Sequence, residues 1–127
     1  MAKILVIDDE IQIRMFFRVI LENSGHGFKG APDGLKGLEL LSAEQFDIVI
    51  IDMIMPKKDG LNTIPEIVKK FPRIKIIAIS GGDDNFAPST YLDLAVNIGA
   101  AAKVTKPIEP RQMLKTVEKL LLEKSST

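Results

Sequence analysis

A single α/β domain, with five parallel strands wrapped on both faces by helices, is predicted from three observations. Short apolar runs alternate five times with stretches of helical period. The runs at residues 4–7, 46–51 and 74–79 are mostly Ile, Val, Leu and Ala, interrupted by a charge only near the starts of the last two, at Asp47 and Lys75, and without the in-out alternation of a half-exposed sheet. That is the pattern of strands covered on both sides. Finally, strands that alternate with helices pair in parallel, and right-handed crossovers leave a doubly wound sheet as the commonest arrangement.

The elements follow in order. Residues 4–7 form the first strand, ending in Asp8-Asp9-Glu10. A helix over residues 10–23 places Ile13, Phe17, Ile20 and Leu21 on one face and Glu10, Arg14, Arg18 and Glu22 on a polar stripe. Ser24-Gly25 stops it. Residues 28–31 make a short, weaker strand, and residues 33–42 a second helix with Leu35, Leu38 and Leu41 inward. The third strand, residues 46–51, meets Asp52 and then a turn at Met55-Pro56. A helix over residues 60–71 carries Pro65 in its first turns, where proline is tolerated. Residues 74–79 are the fourth strand, followed by Ser80-Gly81-Gly82. A fourth helix starts near Pro88 and ends at Ile98-Gly99. Residues 101–105 make the fifth strand, which runs into Lys106-Pro107. The last helix, residues 110–123, buries Leu114, Val117 and Leu121.

At 127 residues the chain suits one core. The domain is expected over residues 1–124, with 125–127 as a frayed tail. Lys plus Arg equals Asp plus Glu, at 17 each, so charge gives no reason to expect nucleic acid or an anionic membrane as partner. Cysteine is absent, which excludes thiolate chemistry and fits a reducing compartment. The N-terminus lacks the apolar core of a signal peptide, and no apolar run reaches membrane-spanning length. A cytoplasmic location is expected.

In open α/β sheets, ligand sites lie at the carboxyl ends of the strands. Asp8, Asp9, Asp52, Ser80 and Lys106 all fall at such ends. If the first and third strands are neighbours, about 4.8 Å apart, the three carboxylates share one pocket bordered by Ser80 and Lys106. Three carboxylates against one lysine repel one another, so protons or a cation must compensate. An all-oxygen set with few protein ligands suits Mg2+. With the cation in place, a carboxylate can attack phosphorus and form an acyl phosphate.

The ordered set Ile7-Asp8-Asp9-Glu10, Asp52-Met53-Ile54-Met55-Pro56, Asp59-Gly60, Ser80-Gly81, Gly99-Ala100 and Lys106-Pro107 spans nearly the whole chain. It resembles the receiver domain of two-component response regulators, most nearly the stand-alone chemotaxis-type members. The resemblance implies a flavodoxin-like (βα)5 fold with strand order 2-1-3-4-5. It implies Asp52 as phosphoacceptor, with Asp8, Asp9, Asp52 and the Ile54 carbonyl around Mg2+, Asp8 acting mainly through coordinated water. It further implies that Ser80 contacts the phosphoryl group and that Lys106 pairs first with Asp52 and then with phosphoryl oxygens. The Lys106-Pro107 bond is often cis in such domains. The implied donor is a sensor histidine kinase or phosphotransfer protein. The implied output is protein contact through the face of helix 4, strand 5 and helix 5, in a switch that catalyses only its own phosphorylation and dephosphorylation. The same residues are also expected of a receiver fragment from a longer regulator or hybrid kinase.

The chain departs from the family pattern at three places. Lys103 stands where many receivers carry Tyr or Phe, and an ammonium is costly to bury. The connection after the fourth strand is ~4 residues longer than usual, within normal loop variability. Ile11 and Ile54 put apolar side chains at positions that influence acyl-phosphate lifetime in the family.

Asp9 can serve as a helix N-cap, with Gln12 completing a capping box. Gly25-His26-Gly27-Phe28-Lys29-Gly30 matches G-x-G-x-x-G, but it leaves a helix and enters a strand, the reverse of a dinucleotide fingerprint. His26 reads as a loop residue. An aspartyl-phosphate phosphatase uses a similar Asp, Ser/Thr and Lys set, but it needs D-x-D spacing after the first strand and a substrate cap.

Overall fold

The computed structural model describes residues 1–123; the expected tail, 125–127, lies outside the described residues. Five strands and five helices alternate: β1 Lys3–Ile7, α1 Ile11–Asn23, β2 Gly27–Ala31, α2 Gly34–Ala43, β3 Ile48–Asp52, α3 Gly60–Lys70, β4 Lys75–Ser80, α4 Pro88–Asn97, β5 Ala102–Thr105 and α5 Pro110–Leu122. All pairings are parallel and the order is β2-β1-β3-β4-β5. The flavodoxin-like doubly wound fold is therefore the one expected.

Alternate residues of the central strands feed two cores. Ile4, Val6, Ile48, Ile50, Ile77 and Ile79 pack against Phe17 and Leu21 of α1 and Met113, Val117 and Leu120 of α5. Leu5, Ile7, Val49, Ile51, Ile76 and Ala78 pack against α2, α3 and α4 through residues such as Leu41, Ile64 and Leu92. β3 is buried at all five positions, ending in Asp52 itself.

Several local expectations are corrected. Leu35 is exposed, whereas Leu41 is buried, because the inward stripe of α2 runs through Gly37 and Leu41. In α5 the fully covered residues are Met113, Val117 and Leu120, with Leu114 and Leu121 only partly buried. The third strand starts at Ile48, and Phe46 packs as a buried residue before it. α1 starts at Ile11 with Glu10 as N-cap, so Asp9 caps nothing. Asp33 and Asp59 do cap α2 and α3, accepting from Lys36 and Asn62 N–H. Pro65 falls in the second turn of α3, within the first turns as expected, and is exposed. Gly25, with φ +84°, closes α1 as the Ser24-Gly25 stop requires.

His26 differs most from its expected role. It is buried, and its Nδ1 accepts the Ala2 N–H at 3.1 Å. The ring proton therefore sits on Nε2, 2.9 Å from Glu118 Oε2 on α5. The imidazole joins the residue before β1 to α5 at the amino-terminal ends of the strands. His26→Ala should leave the Ala2 N–H without its partner and lower stability by about 1–3 kcal/mol. Thermal unfolding checks this, and an unchanged midpoint would remove His26 from the structural role.

Candidate functional site

The sheet order sets β1 beside β3 and β3 beside β4, so their carboxyl ends converge. Ile7 pairs with Ile51, Asp52 with Ile79, and Ser80 with Thr105. The Lys106 N–H donates to the Ser80 carbonyl at 2.9 Å, and the Lys106-Pro107 peptide is cis. A cleft of about 420 Å³ opens over these ends, lined by Asp9, Glu10, Asp52, Ile54, Gly82 and Lys106 among others. Asp8 and Ser80 lie behind its wall, both with no exposed surface.

Asp52 accepts the Ile54 N–H on Oδ1 at 3.0 Å and the Lys106 ammonium on Oδ2 at 2.7 Å. Burial pushes its carboxyl up to about 6, although the Lys106 and Ile54 hydrogen bonds pull the other way. Burial pulls the Lys106 ammonium down, but the hydrogen bond and charge of Asp52, reinforced by Asp8, outweigh it and hold the ammonium above its ordinary value. Lys106 is the hub of the cluster, with Asp8 Oδ2 at 3.1 Å and Glu10 Oε1 at 3.7 Å as well.

Asp8 Oδ1 accepts the Glu10 N–H at 2.9 Å. Its Oδ2 is fully buried and has no hydrogen bond; Lys106 approaches it as a charge without the alignment of a hydrogen bond. A buried carboxylate oxygen left so is expensive unless something else binds it. Asp8, Asp9 and Asp52 each present an oxygen within 4.8 Å of the others. An all-oxygen set, net negative, with one buried oxygen met only by the shared Lys106 charge and an exposed member at the cleft, fits a hard divalent cation.

Ser80 Oγ accepts the Gly82 N–H at 3.1 Å. Beyond it the long connection is ordered by Asp83. The Asp83 carboxylate accepts N–H bonds from Asn85 and Phe86 and the Tyr91 hydroxyl at 2.8 Å, while Phe86 meets Tyr91 edge-on at 5.8 Å. Lys103 stays exposed and pairs with Asp93 of α4 at 2.9 Å, as the cost of burying its ammonium requires. Sequence reasoning missed Glu10 as a cleft residue, although its place directly after Asp8-Asp9 was the available signal.

A profile described as "Response regulator receiver domain" matches residues 4–118. The chain belongs to that family. Among curated relatives, this receiver is 31% identical over 119 residues to the alkaline phosphatase synthesis transcriptional regulatory protein PhoP of Bacillus subtilis, covering 94% of the chain and 48% of the relative. It is 27% identical over 126 residues to a CpxR homolog of Haemophilus influenzae, covering 53% of that protein. The chain thus spans about half the length of these relatives. Among solved structures it resembles a CheY-like receiver domain protein of Methanospirillum hungatei, with TM-score 0.84, 28% identity and 94% of each chain covered. It also matches NtrX of Brucella abortus with TM-score 0.86 and 30% identity, covering 94% of this receiver and 27% of that chain. Receiver domains are the regulatory switches of two-component systems. No helix among the described residues is long and apolar enough to cross a membrane.

Proposed function

We propose that residues 1–124 are a phosphorylation-controlled receiver in which Asp52 accepts a phosphoryl group from the phosphohistidine of a sensor kinase or phosphotransfer protein. The observation that carries this reading is the seating of Asp52: buried, at the cleft, and held between Lys106 and the Ile54 N–H. In the transfer, the histidine N–P bond breaks as a bond forms from phosphorus to an Asp52 oxygen, and imidazole leaves. Lys106 then turns from the carboxylate to the phosphoryl oxygens. Ser80 gives up the Gly82 N–H and donates its hydroxyl to the new group. Asp8, Asp9, Asp52 and the Ile54 carbonyl would hold Mg2+, which supplies neutralisation of charge on the phosphoryl oxygens. Gly82 and the Asp83 loop carry the movement of Ser80 toward α4, and the α4–β5–α5 face meets the downstream protein. The only chemistry asked of the domain is its own phosphorylation and dephosphorylation.

Incubation with acetyl phosphate and Mg2+, followed by intact mass, tests the reading. One added phosphoryl group is expected, absent from Asp52→Asn and from samples with chelator. No addition, or undiminished addition to the variant, would sink the Asp52 assignment. Continuous turnover of a phosphomonoester would instead favour a phosphatase.

A further inference from the structure

We infer that Arg14 is a positioning residue for the acidic turn, acting through the main chain of Asp8 across a slot left open by Gly30. This rests on the cation site proposed above. The Arg14 Nη1 donates to the Asp8 carbonyl at 2.7 Å. On the other side of that residue, the Asp8 N–H donates to the Ala31 carbonyl at 3.0 Å. The two ends of Asp8 are therefore gripped by α1 and by the end of β2. With Oδ1 taken by the Glu10 N–H, the only oxygen of Asp8 without a hydrogen bond is the buried Oδ2.

The slot explains why β2 carries glycine at this point. A Cβ at position 30 would lie 3.1 Å from Arg14 Cδ and 3.2 Å from Phe28 Cζ, so any side chain there crowds the arginine stem. Gly30 pairs with Val6 and Ala31 with Ile7 in the β2–β1 register. Neighbouring β2 residues thus provide the passage for Arg14 and the acceptor for Asp8. The carbonyl that Arg14 holds belongs to the peptide joining Asp8 to Asp9. Asp9 is exposed, and that peptide plane sets where its Cα and Cβ stand relative to Asp8. Partners that orient a metal-binding group without touching the metal commonly change affinity by 10–100-fold when removed.

Charge and position predict opposite signs, which makes the inference testable. If Arg14 were merely a positive charge near three carboxylates, removing it would tighten Mg2+ binding. As a brace, its removal loosens the turn and weakens binding. Isothermal titration of the metal-free protein with Mg2+ should show Arg14→Ala binding about tenfold more weakly, with partial recovery in Arg14→Lys. Gly30→Val, which leaves net charge unchanged but obstructs the slot, should weaken binding in the same direction. The rise in melting temperature on adding Mg2+ should shrink in both variants, a change that a uniformly structural role would not produce. Equal or tighter binding by Arg14→Ala, or unchanged binding by Gly30→Val in a folded protein, overturns the inference. Absence of Mg2+ binding by the unsubstituted chain overturns the cation site itself.

Discussion

Asp52→Asn is expected to stabilise the metal-free protein at neutral pH by about 3 kcal/mol, an unusual direction for a change at a buried ion pair. The Asp52 carboxyl is raised from 3.8 to about 6 because burial disfavours its charge. A raised carboxyl means that the folded state holds the proton more tightly than the unfolded chain. Its stabilising effect is fully present below the unfolded value of 3.8 and is lost as pH rises through about 6. In chelator, the melting temperature of the unsubstituted protein should therefore fall between about pH 4 and pH 7, and the variant should lack that part of the fall. Mg2+ at neutral pH should close the gap, since a cation offsets the charge that burial penalises. A variant no more stable than the parent at pH 7 in chelator would falsify the burial account.

Gly34→Ala should be the most damaging single-methyl change, lowering stability by about 3 kcal/mol and the midpoint by roughly 10 °C. The new Cβ would stand 2.0 Å from Thr63 Oγ1 and 2.6 Å from the Lys58 carbonyl. Neither neighbour can give way. Thr63 is fully buried and donates to the Asp59 carbonyl at 2.6 Å, and the Lys58 carbonyl already accepts the Gly34 N–H at 2.7 Å. This contact ties the start of α2 to the β3–α3 connection beside the cleft. Gly81→Ala is the control. Its Cβ would find only Lys106 Cβ and Cδ, at 3.5 and 3.7 Å, which is ordinary contact. Chemical denaturation of the two variants checks the contrast, and equal midpoints would show that the chain absorbs the clash at Gly34.

The features legible in the sequence are those written in short windows. The β3 run is apolar on both faces because helices cover both sides, so its uninterrupted Ile and Val announced a buried parallel strand ending at Asp52. Lys103 was expected to stay in water, and it does, because an ammonium carries the same desolvation cost in any fold. The strand order was implied by family likeness, since local pattern does not say which strands are neighbours. What stayed hidden depends on residues distant in the chain. Flanking glycines made His26 look like a loop residue, and nothing nearby reveals that Ala2 and Glu118 meet at its ring. Arg14 read as one member of a helical polar stripe until the register of β2 set Gly30 under its stem. Leu35 and Leu41 are both leucines of one helix, and only packing separates the exposed one from the buried one.

The Asp83–Tyr91 contact also has an optical consequence. The chain contains one tyrosine and no tryptophan, so its intrinsic ultraviolet emission arises from a single phenol. That phenol donates its hydroxyl to a carboxylate in the connection that follows Ser80 and stacks edge-on with Phe86. The carboxylate partner also holds the phenol's ionisation above its ordinary value. Rearrangement of this loop would change both the hydrogen bond and the ring contact of the fluorophore. The protein thus carries a native reporter at the start of α4, which can be read in real time without attaching a dye.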